Sequence, residues 1–254
     1  MPLFPAERHR CILKLLETQG TVSSFELEQE LEVTAMTVWR DLKLLEERGQ
    51  LKRMRGGAVR LSGPAEIDFH QKAIHARAAK ARIARYVARK LLQAGDILIL
   101  DGGTTIASLA EQPLPARLTL LTNSLPIAEA MQHHRARPSV YLSGGLLRPE
   151  SGTLVGREAI TFFSRRRAVK FLMSATGLDA EAGVSDPNPQ EIEVKQAMAC
   201  RAQEVILMAD ASKLGVVSLM QTLPWRRIDR LVTDAPLNDP RLQGTLSPKR
   251  VCSV

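Results

Sequence analysis

From residue 97 onward the chain repeats one unit, a short apolar run that ends in small, hydrogen-bonding residues. ILIL (97–100) runs into DGGTT, LTLL (118–121) into TNS, and SVYL (139–142) into SGG. FLMSA (171–175) is followed by GLD, EVILMA (204–209) by DASK, and RLVT (230–233) by Asp234. Apolar runs of this length between turn residues read as buried strands, and the helical segments between several of them make the pattern an α/β domain with a largely parallel sheet. Such sheets bind ligands outside the carboxyl ends of their strands. The polar residues fall on that edge, so Asp101, Gly102, Gly103, Thr104, Thr105, Asn123, Ser124, Gly144, Gly145 and Asp210 are candidates for a ligand site.

The residue types suggest the ligand. Glycines let the backbone approach, while successive amides and threonine hydroxyls can cradle an anion. Lys195 and Lys213, with Arg148 behind them, are the expected cations. Asp101, Asn123 and Asp210 suit sugar hydroxyls, and Asp101 has the alternative role of holding its own Gly-rich turn. This chemistry fits a phosphorylated polyol or sugar. Neither GxGxxG nor GxxxxGK[ST] occurs, so no nucleotide cofactor is expected. No metal is expected either: His133 and His134 are adjacent without a third ligand nearby, and Cys11, Cys200 and Cys252 are scattered and read as free thiols.

The first sixty residues follow a different pattern. Ile12, Leu13, Leu15 and Leu16 mark a helix that ends near Gly20. Ser23 and Glu26 have capping-box spacing for a second, short helix. Thr34 is the expected N-cap of a third helix, which Gly49 would end. At about 100° per residue, Val38, Leu42 and Leu45 share one side of it, and Met36, Arg40 and Lys43 the other. This is the layout of a helix-turn-helix. QLKRM and AVRL then flank Arg55-Gly56-Gly57, a hairpin whose glycines allow positive φ. A basic hairpin after a recognition helix reads as a winged helix that binds double-stranded DNA, with Thr34, Met36, Thr37, Arg40, Lys43, Lys52, Arg53 and Arg55 as candidate contacts. Glu26, Glu28, Glu30 and Glu32 would have to face away from the duplex.

The formal net charge of +8 agrees with a polyanionic partner. Arg48 to Arg60 holds basic residues and no acid, and so does Lys72 to Lys90. The second run places Ile83, Val87 and Leu91 at helical spacing and reads as a helix with a solvated basic face. No stretch resembles a signal peptide or reaches the roughly 18 apolar residues that span a bilayer. The expected protein is soluble and cytoplasmic. Its domains are a winged helix-turn-helix over 1–61, a linker over 62–72 containing Ser, Gly and Pro, and an α/β domain over 73–254.

ERHRCILKLLETQG, TVSSFELEQELEV, TVWRD (37–41) and the wing ending RGGA resemble the DeoR family of bacterial transcriptional repressors. DGGTT, TNSLPIA, SGGLLRPES, GLDAEAGVSDPNPQEIEVKQAM and ADASKLG extend the resemblance to about Asp234. Trp39 stands where the family commonly has an arginine, Ala35 where an acidic residue is frequent, and Val169 near a frequent Asp. The resemblance implies a larger domain related in fold to ribose-5-phosphate isomerase, a sugar-phosphate effector, and homo-oligomers on repeated operator sites. The expected function is a repressor of a carbohydrate catabolic operon relieved by a phosphorylated sugar, with no catalytic residues. The competing expectation is a sugar-phosphate isomerase-like enzyme with an accessory nucleic-acid domain, in which Asp101, Glu191, Lys195 and Asp210 would serve as acid, base or cation.

Overall fold

The apolar spacing of the first sixty residues builds a small independent core. In the computed structural model, which describes residues 4–48, 50–54, 56–60 and 69–254, helix α1 (Pro5–Gln19) buries Ile12 and Leu16. Strand β1 (Thr21–Ser23) leads into α2 (Ser24–Glu30), and α3 (Ala35–Glu47) lays Val38, Leu42 and Leu45 onto the same core with Leu27 and Leu31. Ser23 caps α2 by accepting from the Glu26 amide at 3.0 Å. The reciprocal half of the expected capping box is absent among the described residues, because the Glu26 carboxylate turns instead toward His75 at 3.7 Å. Thr34 does stand at the N-cap of α3, but its hydroxyl meets that of Thr37 at 3.2 Å and caps no amide. Gly49, the expected terminator of α3, lies outside the described residues. Buried Asp41 ties α3 to α1, accepting from Arg8 at 2.7 and 3.0 Å and lying 3.0 Å from His9 Nε2.

Strands β2 (Leu51–Met54) and β3 (Gly57–Arg60) form the expected hairpin, and β1 adds to β3 in the order β1-β3-β2. The two glycines serve different needs. Gly56 has φ +82°, whereas a Cβ on Gly57 would lie 2.0 Å from the Val22 carbonyl oxygen of β1.

Beyond the hairpin, α4 (Phe69–Ile74) and α5 (Arg77–Tyr86) precede a seven-stranded parallel sheet. Its strands are β4 (Ile97–Leu100), β5 (Thr119–Thr122), β6 (Ser139–Leu142), β9 (Ala168–Met173), β12 (Ala202–Met208), β14 (Arg230–Thr233) and β15 (Val251–Ser253), in the order β15-β14-β12-β9-β4-β5-β6. The apolar runs picked out above all belong to it. Helix α5 with α6 (Thr104–Ala107) and α7 (Leu125–Gln132) covers one face through Ile83, Ile106 and Ile127. Helices α8 (Arg157–Ser164) and α9 (Pro189–Ala199) cover the other through Phe163, Val194 and Met198. Burying such side chains stabilises the fold by about 1.5–3 kcal/mol each.

Strands β4, β5 and β6 step outward one way and β9, β12, β14 and β15 the other. The chain therefore reverses direction between β4 and β9, which opens a crevice above their carboxyl ends. The hairpin β7 (Leu146–Arg148) and β8 (Thr153–Val155) and the antiparallel β10 (Gly177–Asp179), β11 (Gly183–Asp186) and β13 (Met220–Leu223) build the walls above that edge. Among the described residues no helix is long and apolar enough to cross a membrane.

Candidate functional site

The outward side of α3 is exposed. Met36 is 59% and Trp39 50% accessible, large values for such side chains, and Arg40 and Lys43 lie beside them in solvent. The Trp39 ring is flanked by Lys43 Nζ at 5.5 Å and the Arg53 guanidinium at 5.4 Å, so position 39 presents an indole held between cations. Arg53 is also held by Glu46, at 2.6 Å through its side chain and 2.7 Å through its amide, and this hydrogen bonding keeps the Glu46 carboxyl below its ordinary pKa. Of the expected DNA contacts, Thr34 and Lys52 are exposed, Thr37 is half-buried against Thr34, and Arg55 lies outside the described residues.

A second site lies at the β4–β9 reversal. Asp101 ends β4 and accepts from the Gly102 amide at 2.7 Å and from the Ser174 amide and hydroxyl, beyond β9, at 3.0 and 2.6 Å. It therefore holds the Gly-rich turn and also clamps the two strands together. A Cβ on Gly103 would sit 1.8 Å from Ser174 Oγ, so only glycine fits this closeness. Lys195, projecting from α9, lies 2.9 Å from Asp186, 3.3 Å from Asp101 and 3.1 Å from the Ser174 carbonyl. Burial lowers its pKa, but Asp101, Asp186 and Glu191 together outweigh burial and raise it above the ordinary lysine value. Glu191 accepts from Thr153 at 2.7 Å and pairs with Arg148 at 2.8 Å. Burial opposes its charge too, yet Lys195, Thr153, Ser151 and Arg148 hold its carboxyl below the usual range.

The other cations are less well paired. Lys80 is buried on α5 and donates to the Lys72 carbonyl. Burial pushes its pKa down to about 8, with Lys213 and Lys72 adding to the fall and Asp210 opposing it. Burial likewise lowers Lys72. Neither Lys72 nor Lys213 has a side-chain hydrogen bond or ion pair among the described residues. Asp210 directs Oδ1 to the amide of Ser212 at 3.1 Å, while its Oδ2 is buried without a partner. Burial would raise the Asp210 pKa, but Lys213, Ser212, Lys80 and His75 lower it, so it stays ionised. Three lysines that repel one another form a place where a dianion would be stabilised.

The pocket thus gathers Asp101, Gly102, Gly103, Thr104, Thr105, Lys195 and Lys213 from the expected set, with Asp210 beside them. Other members serve the scaffold and are not among its lining residues. Asn123 donates to the Leu154 carbonyl at 2.9 Å, and Ser124 caps α7 by accepting from the Ile127 amide at 3.4 Å. A Cβ on Gly145 would lie 2.3 Å from the Val155 carbonyl, so this glycine permits the β7–β8 pairing. Gly144 is exposed. Lys72, His75, Lys80, Ser174, Asp186 and Glu26 line the pocket and were not expected there. The basic run is a solvated face only in part: Arg77, Arg85 and Arg89 face solvent, but Lys72 and Lys80 turn inward. A usable signal existed: Lys80 stands three residues before Ile83 and seven before Val87, on the apolar stripe of its helix.

Both halves of the chain match known families. The DeoR-like helix-turn-helix domain matches residues 8–63 and the DeoR C terminal sensor domain residues 75–235. The HTH-type transcriptional regulator GlpR of Haloferax volcanii is 33% identical over 238 residues, 93% of this chain and 92% of that protein. The glycerol-3-phosphate regulon repressor of Escherichia coli is 30% identical over 231 residues, 91% of each chain. Among solved structures, ribose 5 phosphate isomerase A of Neisseria gonorrhoeae aligns over 56% of this chain and 53% of its own at 14% identity and a TM-score of 0.36, too slight a likeness to argue from. The two matches follow in order along one chain, and its relatives are regulators across nearly their full length. The chain therefore belongs to the DeoR family of transcriptional regulators and not to an enzyme family.

Proposed function

We propose that this protein represses a carbohydrate catabolic operon and leaves its operator when a phosphorylated sugar or polyol occupies the pocket at the β4–β9 reversal. The observation that carries the reading is the convergence of Lys72, Lys80 and Lys213 on one space, with the buried, unpartnered Oδ2 of Asp210 behind them. The lysines take the phosphate, and the Gly102–Thr105 turn supplies amides and hydroxyls, with the buried Asp210 carboxylate balancing the lysines from behind. Lys195 positions the carboxylates beneath. That one relative is by name a glycerol-3-phosphate regulon repressor agrees with a small phosphorylated ligand. Residues 1–61 read the operator through the exposed side of α3, and the larger domain senses from α4 onward, because Phe69 and Lys72, inside the expected linker 62–72, belong to a helix that lines the pocket. The protein works in the cytoplasm as a homo-oligomer, so the ligand acts by favouring an arrangement in which paired recognition helices no longer match their half-sites.

The test is binding of the purified protein to its own upstream DNA, titrated with a panel of phosphorylated sugars at two salt concentrations, for the wild type and Lys213→Ala. The wild type is expected to prefer that DNA and to respond to one sugar phosphate. The variant keeps its DNA affinity and loses about 1.5–3 kcal/mol of ligand affinity, the worth of a hydrogen bond to a charged group. Unchanged induction in the variant would remove Lys213 from the site, and absence of any DNA preference would sink the regulator reading.

The same pocket predicts a pH dependence. Lys80 is charged below its folded pKa of about 8 and neutral above it. Binding of sulfate, which does not titrate in this range, is expected to be stronger at pH 7 than at pH 9, falling by up to about tenfold per unit as pH rises through 8 to 9. Lys72 and Lys213 face the same space with Asp210 behind them, so Lys80→Met is the control. A profile equally steep in that variant would assign the transition to another group.

A further inference from the structure

The small domain does not hang free of the pocket. Thr18, Gln19, Thr21 and Glu26, all from the DNA-reading unit, line the same space as Lys72 and Lys213. Glu26 lies 3.7 Å from His75 across the domain boundary. Beside it, the Arg241 guanidinium stacks on the Phe25 ring at 4.1 Å. The turn of the wing is seated too, since a Cβ on Gly56 would lie 2.1 Å from the Gly215 carbonyl oxygen.

These seats rest on the loop that carries the ligand's cation. Gly215 is two residues beyond Lys213. Arg241 donates to the Ala211 carbonyl at 3.2 Å, on the near side of Lys213, while its other face carries Phe25. A ligand that draws Lys213 inward therefore pulls on the loop whose Gly215 carbonyl seats Gly56 and whose Ala211 carbonyl holds the Arg241 that carries Phe25. Glu26 adds charge to this coupling, because its carboxylate shares the pocket with the cations that a phosphate would use.

We propose that the DNA-reading unit forms the lid of the ligand pocket, with Glu26 as its charged contact, so that a phosphate in the pocket and docking of the winged helix oppose each other. The inference rests on the pocket being the anion site. The recognition helix α3 is not part of the seat, so docking orients it and leaves its outward side open. Undocking frees the two recognition helices of an oligomer from a set spacing. Linkage makes the effect reciprocal: whatever affinity docking removes from the ligand, the ligand removes from docking by the same factor.

Full-length protein, Glu26→Gln and Phe25→Ala test this with inorganic phosphate as the probe, phosphate binding being measured by calorimetry and docking by amide exchange over residues 18–27 and 56–59. In the wild type, saturating phosphate is expected to speed exchange in both segments. Both variants are expected to bind phosphate severalfold more tightly and to exchange fast in these segments without it. Phe25 lies outside the small domain's core, and its contact partner is Arg241, so its loss spares the pocket's own groups. If the wild type binds phosphate and Lys213→Ala does not, yet both lid variants bind like the wild type or phosphate slows exchange, the lid is refuted and the anion site stands. Failure of phosphate to bind any of these proteins removes the anion site and the lid together.

Discussion

Lys195→Met is expected to destabilise the larger domain by about 3–5 kcal/mol, the usual result of removing one partner from a buried ionic cluster. The side chain would keep its volume, but Asp186 and Asp101, now 2.9 and 3.3 Å from the ammonium, would face each other unneutralised in a buried space. Both are structural ties. Asp101 holds β4 to Ser174, and Asp186 accepts from Thr176 at 3.0 Å and from Thr222 at 2.8 Å. In a domain of this size the loss corresponds to a melting temperature lower by about 10 °C. Thermal unfolding followed through Trp225, the tryptophan of the larger domain, reads it directly. Lys213→Met should cost far less, about 0.5–1 kcal/mol, because among the described residues no ion pair or side-chain hydrogen bond depends on that side chain and its loss relieves repulsion with Lys80. If instead Lys195→Met melts like the wild type and loses ligand response, Lys195 contacts the ligand and the scaffold does not need it.

That contrast shows what could be read from sequence and what could not. The strands were legible because runs such as ILIL and EVILMA are buried on both faces, which leaves no polar alternation to confuse them. β15 escaped because VCS is three residues with a polar end. Asp101 and Lys213 could be placed on the pocket's edge from sequence because they lie in the loops that follow β4 and β12, and strand ends in a parallel sheet share one edge. Lys195 was recognised as important, but its charge balance depends on Asp101 and Asp186, which reach it from other elements. Lys72 and Lys80 come before the first strand of the sheet, in a helix whose other basic residues face water, and only the alignment of Lys80 with Ile83 and Val87 marked it. Glu26 was assigned to its own helix cap because capping-box spacing is local. Its actual neighbour, His75, becomes visible only when the two domains are placed together.

Arg40→Ala is expected to weaken operator binding by about 1–3 kcal/mol and to relax base preference at one position, the cost of losing a bidentate base contact. Arg40 is exposed on the outward side of α3, one turn from Met36 and close to Lys43. In contrast to Arg53, which Glu46 holds at 2.6 Å, it stands in solvent and can reach a groove. The comparison that gives the result meaning is Lys52→Ala, an exposed wing residue. A phosphate contact of that kind should weaken specific and random duplexes alike and lower the salt slope by about one. Loss confined to the specific duplex for Arg40→Ala, with the salt slope kept, assigns it to a base. Equal loss on both duplexes moves Arg40 to the phosphates, and base reading then falls to Met36 and Trp39, whose apolar surfaces are the other large side chains exposed on this face.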